Sequence, residues 1–595
     1  MPRPFCDVVM KGGITSGVVY PLAVVELARR YAFKSIGGTS AGAIAAALTA
    51  AAELRRRAGS DAGFEILAAL PEVLQTRLVS LFQPSRAGRS AFRLLLAVVG
   101  RGPVWKRTWS ALLTLLRTQA LFAAIGTALA VLVIGALLAL VNAAPSPRVL
   151  GSLCGLAAIA GALAGASAAF LWRTPRALSA NFLGLCRGLR EGGRDEALTE
   201  WLVRNLDQVA GKGPGDPPLT FGELWRGQLG GRPEGDAAPP AIEREIDLEV
   251  VTCNLTHGRP YRIPFESRAF YFKPAEFRRL FPEPIVEFLK RHSAPARFYE
   301  PSEDSPWRLP APADLPVVVA VRLSLSFPLL LSAVPLNAVD WSRASNQDKR
   351  DDSPLDYERC WFSDGGIGSN FPIHFFDALL PRRPTFGLNL RPFPLGQEAD
   401  HQDQSKNVHF PRTSQSEVVP DWNRFEGVLG FLRAIVETMQ NWVDSTQMKL
   451  PGYHDRVVHI ELEKEEGGLN LEMPKERIAE LTERGAVAGR LLVEQFDWDR
   501  HRWTRYRTAF SQIQDVLDGM DRAWTDGSGP SGDGFGPFLE ARDPAAPPYA
   551  LARGRRGREL VRDFVALGPA WREAEVDFRS GAPRPDPELK VRPRI

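Results

Sequence analysis

Over its first sixty residues the chain alternates short apolar runs with glycine-rich junctions and helix-like stretches. Phe5 to Met10 reads as a strand, Val18 to Arg30 as a helix, Phe33 to Gly37 as a second strand, and an Ala-rich helix starts near Ala41. This alternation is the pattern of a parallel α/β sheet. Residues from about 64 to 118 and from about 176 to 206 read as helical, and Gly211 to Pro240 as a Gly- and Pro-rich surface loop. Ile246 to Asn254, Pro316 to Val321, Tyr357 to Phe362, Pro384 to Leu390 and Val457 to Leu462 are the later strands. Pro394 to Pro420 is polar and irregular, Phe425 to Met448 has helical periodicity, and Pro474 to Phe496 is a charged amphipathic helix. From Trp524 the chain mixes Gly, Pro and Arg, which predicts a flexible loop at Asp526 to Gly536 and a disordered tail after Ser580.

Two uncharged runs interrupt this pattern, Gln119 to Ala144 and Val149 to Trp172. Each makes roughly 36 Å of helix, against a hydrocarbon core of roughly 30 Å. Pro145-Ser146-Pro147-Arg148 forms a tight turn between them, so the pair reads as a transmembrane helical hairpin. Arg101, Lys106, Arg107 and Arg117 precede it and Arg173, Arg176 and Arg187 follow, whereas the turn carries only Arg148. Both flanks are therefore expected on the cytoplasmic face, as in a bacterial inner membrane. Gly161 and Gly165, with Ala157 and Ala169, form a stripe suited to close helix packing. A hairpin buried in a large soluble core is the competing reading. Leu94 to Leu116, with Trp105 and Trp109 among basic residues, reads as an interfacial amphipathic segment or a surface helix.

At 595 residues the chain can hold two to four domains. Its net charge of +4 is small and scattered, which argues against a nucleic-acid partner. Five dispersed cysteines, Cys6, Cys154, Cys186, Cys253 and Cys360, lack a C-x-x-C and fit neither a disulfide framework nor a zinc site. Met1 to Asp7 runs straight into a strand, so no secretory signal is expected.

The chemistry centres on Gly38-Thr39-Ser40-Ala41-Gly42, a G-x-S-x-G serine between a strand and a helix. Such a turn exposes the hydroxyl, and the helix N-terminus favours negative charge beside it. A plain Gly-rich helix cap has the same local pattern. Lys11-Gly12-Gly13-Ile14-Thr15-Ser16-Gly17 ends the first strand, and its bare amides suit an oxyanion hole at Gly12 and Gly13. Asp364, in Ser363-Asp364-Gly365-Gly366-Ile367-Gly368-Ser369-Asn370-Phe371-Pro372, is a candidate base at a strand end, where a turn aspartate is the simpler reading.

Together these blocks resemble the patatin-like phospholipase family. The glycine loop, the elbow at Ser40 with Gly38 and Gly42, and the D-G-G motif with Gly365 and Gly366 occur in the family's order. Asn370 and Pro372 match its D-G-G-x-x-x-N-x-P extension, and Ala320 to Pro328 its A-x-R-x-S-x-(S/A)-x-P block. The resemblance spans about residues 5 to 392. It implies a three-layer α/β fold with a mainly parallel sheet, and a Ser40–Asp364 dyad hydrolysing acyl esters of phospholipids or related lipids, with no cofactor or metal.

The family's loop reads G-G-G-x-R/K-G. Here Lys11 replaces the first glycine and Thr15-Ser16 replace the basic residue, leaving Lys11 either to substitute for it or to face solvent. The expected organisation is a first core part over 1–110, the hairpin over 111–175, a second core part over 176–400, an α/β extension over 401–523 and a flexible tail over 524–595. A Ser-His-Asp esterase using His374, His409, His454 or His459, and an inactive membrane-anchored binding protein, are the alternatives.

Overall fold

The computed structural model describes residues 3–13, 15–99, 103–141, 145–193, 195–231, 238–347, 353–394, 396–411, 427–463, 466–468, 470–528, 534–542 and 554–585. Its strands are β1 (Phe5–Met10), β2 (Ala32–Gly38), β3 (Gly184–Cys186), β4 (Asp247–Asn254), β5 (Arg259–Ile263), β6 (Tyr271–Phe272), β7 (Trp307–Arg308), β8 (Leu329–Leu331), β9 (Val334–Val339), β10 (Tyr357–Asp364), β11 (Thr385–Pro392), β12 (Val408–His409) and β13 (Val457–Leu462). All but β3 and β8 form one mixed sheet, ordered β12-β13-β11-β1-β2-β4-β10-β9-β6-β7, with β5 on β4. The run from β13 to β4 is parallel, and β10, β9, β6 and β7 continue it antiparallel. The protein is thus mixed α/β. β1 is buried from Cys6 to Met10, as a central parallel strand covered on both faces must be.

Helices needed below are α1 (Tyr20–Arg30), α2 (Ala41–Arg57), α3 (Ala62–Arg77), α4 (Arg89–Val99), α5 (Val104–Thr118), α6 (Ala120–Leu140), α7 (Pro147–Ala180), α8 (Val317–Ser324), α9 (Gly427–Met448) and α10 (Lys475–Gln495). Alanines keep α2 thin enough to be buried along most of its length beside β2. The strand expected at Pro316 to Val321 is instead α8. All eight of its residues are buried, so it shows no amphipathic period, and a short apolar run cannot be told from a strand by pattern. The helix expected over 176–206 is also divided. α7 ends at Ala180, β3 intervenes, and a further helix occupies Leu198–Ala210.

The extension over 401–523 shares the main core. β13 pairs with β11, and α10 lies on α1 so closely that a Cβ on Gly489 would meet Glu26 Cβ at 2.7 Å and collide with the Ala23 carbonyl. Where a flexible tail was expected beyond 524, helices occupy Phe535–Ala541, Gly554–Val565 and Leu567–Glu573. Most of the residues after Ser580 fall outside the described set, as do 412–420 of the irregular stretch.

α6 and α7 form the hairpin, and its small-residue stripe is the contact. A Cβ on Gly161 would meet Ala130 Cβ at 2.6 Å and collide with the Gly126 carbonyl, and one on Gly165 would collide with the Phe122 carbonyl. The outer faces are uncovered, with Leu132 68% and Leu140 81% exposed. Both helices are long and apolar enough to cross a membrane, and neither is the mostly buried core helix of the soluble reading. The limbs of this insertion meet where they leave and rejoin the fold. Pro84 bridges Cys186, the Ser85 amide donates to the Leu185 carbonyl at 2.9 Å, and β3 pairs in parallel with β8.

Gly161→Leu should destabilise the purified protein in detergent by roughly 1–3 kcal/mol through overpacking. Gly155→Leu, at a position with open space around it, should not. Thermal unfolding of the two variants checks this, and equal midpoints would remove the packing role.

Candidate active site

Ser40 sits between β2 and α2 with φ 53° and ψ −127°, a sparsely populated backbone state for a residue with a side chain. The turn closes only because its flanking residues are bare. A Cβ on Gly42 would lie 2.7 Å from the Lys11 carbonyl oxygen, and one on Gly38 would lie 2.5 Å from the Gly42 carbonyl carbon. The Ser40 amide donates to Ser324 Oγ at 3.1 Å, which ties the elbow to the end of α8.

β10 delivers Asp364 from the other side. Its amide donates to the Ser326 carbonyl at 3.0 Å, and its Oδ1 accepts from the Gly366 amide at 2.7 Å. Burial pushes the carboxyl up to about 6, against the opposing pull of a side-chain hydrogen bond from Ser40 and of the Gly366 amide. Oδ2 has no well-aligned donor, so the serine contact is close but not fully formed, as is common before substrate binds. Among the described residues no histidine bonds either group. His459 is buried against Asn389, and His501 pairs with Asp455.

In the glycine loop the two expected donors part company. The Gly12 amide donates to the Asn370 carbonyl at 2.8 Å, and Thr39 Oγ1 donates to the same oxygen at 2.8 Å. Among the described residues nothing accepts from the Gly13 amide. Ile14 lies outside the described residues. Lys11 is turned back onto the sheet. Its Nζ donates to the Leu390 carbonyl at 2.8 Å, at the end of β11, and its charge is among the influences that oppose the upward push of burial on the Asp444 carboxyl.

No family model matches the chain. The RpoH suppressor of Rhizobium meliloti (strain 1021) is 35% identical over 665 aligned residues, which cover 100% of this chain and 99% of that protein. The chain belongs to the family of that suppressor. Among solved structures, VipD from Legionella pneumophila aligns over 98% of this chain and 89% of its own at 13% identity, with a TM-score of 0.29, too low to carry any argument.

Family membership does not name the groups that hold the dyad; the geometry does. The block at Ala320 to Pro328 supplies Ser324 Oγ to the Ser40 amide and the Ser326 carbonyl to the Asp364 amide. Behind them Arg322 is wholly buried and donates to Ser326 Oγ at 2.7 Å and to the carbonyls of Ser332 and Arg187 at 2.9 and 3.1 Å. Burial lowers its pKa to about 10.

Sequence reasoning missed Asp444 on α9. One oxygen accepts from the amides of Asn370 and Phe371, both at 2.8 Å, and the other from Ser369 Oγ at 3.1 Å. It thereby fixes the loop that carries the Asn370 carbonyl to Gly12. The available signal was an acid toward the end of a largely apolar helix.

An apolar cavity of about 80 Å³ has Gly17 and Ala41, the residue after Ser40, among its lining. Leu48, Leu74, Trp201 and Phe327 are among its walls.

Asp364 acts as a base only when ionised. Labelling of Ser40 by a fluorophosphonate should therefore climb about tenfold per pH unit below about 6 and level off above it. A flat profile over that range would separate the two groups. Asp444→Asn keeps the shape but faces two amides with a worse acceptor, and should slow labelling by about 10²-fold. An unchanged rate would reduce Asp444 to packing.

Proposed function

We propose that this protein is a serine lipid acyl hydrolase of patatin-like fold, held in a membrane by its hairpin and working through Ser40 and Asp364. The observation that carries this reading is a buried carboxyl set against an elbow serine, with an apolar cavity opening beside that serine. In the reaction Asp364 takes the Ser40 hydroxyl proton as Oγ attacks the ester carbonyl. The Gly13 amide and the N-terminal end of α2 meet the negative charge that develops on oxygen. The protonated Asp364 then gives its proton to the leaving alcohol. A water activated by the same carboxylate releases the acid from Ser40. Burial supports this chemistry twice, because it raises the basicity of Asp364 and excludes water that would compete with it.

The apolar cavity suits an acyl chain, which points to phospholipid or another acyl-ester lipid as substrate. α6 and α7 cross the bilayer with both basic flanks on the cytoplasmic side, so the dyad works at that face. Tethering keeps the enzyme at its substrate without any additional contact.

Ser40→Ala and Asp364→Asn should each abolish acyl release from a panel of ester lipids in detergent while leaving the protein folded, with the unfolding midpoint of Asp364→Asn no lower than wild type. Turnover retained by either variant would exclude the dyad. Replacing 119–172 by a short linker should move the protein to the soluble fraction, and continued sedimentation with membranes would place the anchor elsewhere.

A further inference from the structure

The hairpin is carried on a two-limbed stem; the outgoing limb walls the cavity next to Ser40, and the returning limb pairs with a strand that also walls it. On the outgoing limb Leu78, Leu81 and Phe82 line the cavity, and the chain then pairs with the returning limb at Pro84 and Ser85. On the returning limb α7 ends at Ala180 and β3 pairs with β8, whose Leu330 and Leu331 also line the cavity. The cavity that reaches Ala41, next to Ser40, is thus walled by apolar side chains of the outgoing limb and of the strand paired with the returning limb.

The rim of the stem is apolar where it faces outward. Leu183 is 41% exposed and Leu329 61%, and Leu329 pairs with Gly184 next to Leu183. Phe182, Leu183 and Leu329 hold φ values of 51°, 63° and 65°, conformations that favour glycine or asparagine. Turn geometry thus does not account for leucine at these places, whereas contact with an apolar partner does. Trp172 is exposed with Arg176 stacked on it at 4.3 Å, the amphipathic pairing found at membrane surfaces. It lies eight residues before the end of α7, roughly 12 Å along the helix axis. The rim therefore sits close above the surface that Trp172 marks.

We infer that this stem is the port by which the acyl chain of a bilayer lipid passes from the leaflet around the hairpin into the cavity, tail first, towards Ser40. The inference rests on the acyl-hydrolase reading and commits to lipid of the membrane that holds the enzyme. A chain that slides between apolar walls exposes few methylenes to water, and each exposed methylene would add to the barrier for leaving the bilayer.

The test uses full-length Ser40→Ala protein reconstituted into vesicles containing a diacyl phospholipid with a diazirine at the end of one acyl chain. After illumination, the labelled peptides are mapped by mass spectrometry. Adducts are expected on 78–85, 183–187 and 327–331 as well as on α6 and α7. They should fall at least fivefold when the labelled lipid is supplied only in a second, protein-free vesicle population. Adducts confined to α6 and α7, or equal labelling from the second population, overturn the port. Wild-type turnover of a water-soluble short-chain ester is measured in parallel. Absence of that turnover sinks the hydrolase reading and, with it, delivery to a reacting serine. Turnover accompanied by adducts on the hairpin alone sinks the port and spares the dyad.

Discussion

The burial of Asp364 against Ser40 is the constraint on which the rest of the site depends. A carboxyl that ionises near 3.8 in the unfolded chain and at about 6 in the fold binds its proton more tightly in the folded state. Its contribution to stability is therefore largest at low pH and declines as pH rises through that window. At neutral pH the charged form costs roughly 3 kcal/mol. The fold must supply that from elsewhere, and the source is one continuous apolar core in which β1, β2, β4 and β11 are packed together with the helices that cover them.

One short helix keeps the two groups in register. Ser324 holds the nucleophile's amide and the Ser326 carbonyl, two residues on, holds the amide of the base. A shift of α8 would carry both partners together rather than pull them apart. The same helix end is tied through Arg322 to the Ser332 carbonyl after β8 and to the carbonyl of Arg187, on the limb where the chain returns from the hairpin. The insertion thus rejoins the fold at the group that holds Ser40 and Asp364 in place, although its helices lie far away in sequence from β10.

The parts of this arrangement that were legible in the sequence are the local ones. Gly38, Gly42, Gly365 and Gly366 stand out because each belongs to a motif only a few residues long, and the uncharged runs at 119–144 and 149–172 announce themselves by length. α8 was misread because a fully buried helix has no polar face to give it a period. The engagement of Gly12 by Asn370 could not be foreseen, since its partner is a backbone carbonyl more than three hundred residues away. Asp444 was hidden for the same reason, as its acceptors serve main-chain amides that have no residue identity to match. The helices after 534 were obscured by a Gly- and Arg-rich composition, in which propensity argues against order and tertiary packing decides otherwise.

The backbone of Ser40 has a consequence for how this chain can change. A side chain held at φ 53° and ψ −127° stores on the order of 1–3 kcal/mol of strain. Glycine at that position would relieve the strain and yield a sturdier protein without a nucleophile. Threonine would keep a hydroxyl but bring a branched Cβ into the turn. Selection for stability alone would therefore erode this residue, and its persistence in a lineage would report that the hydroxyl itself is being used.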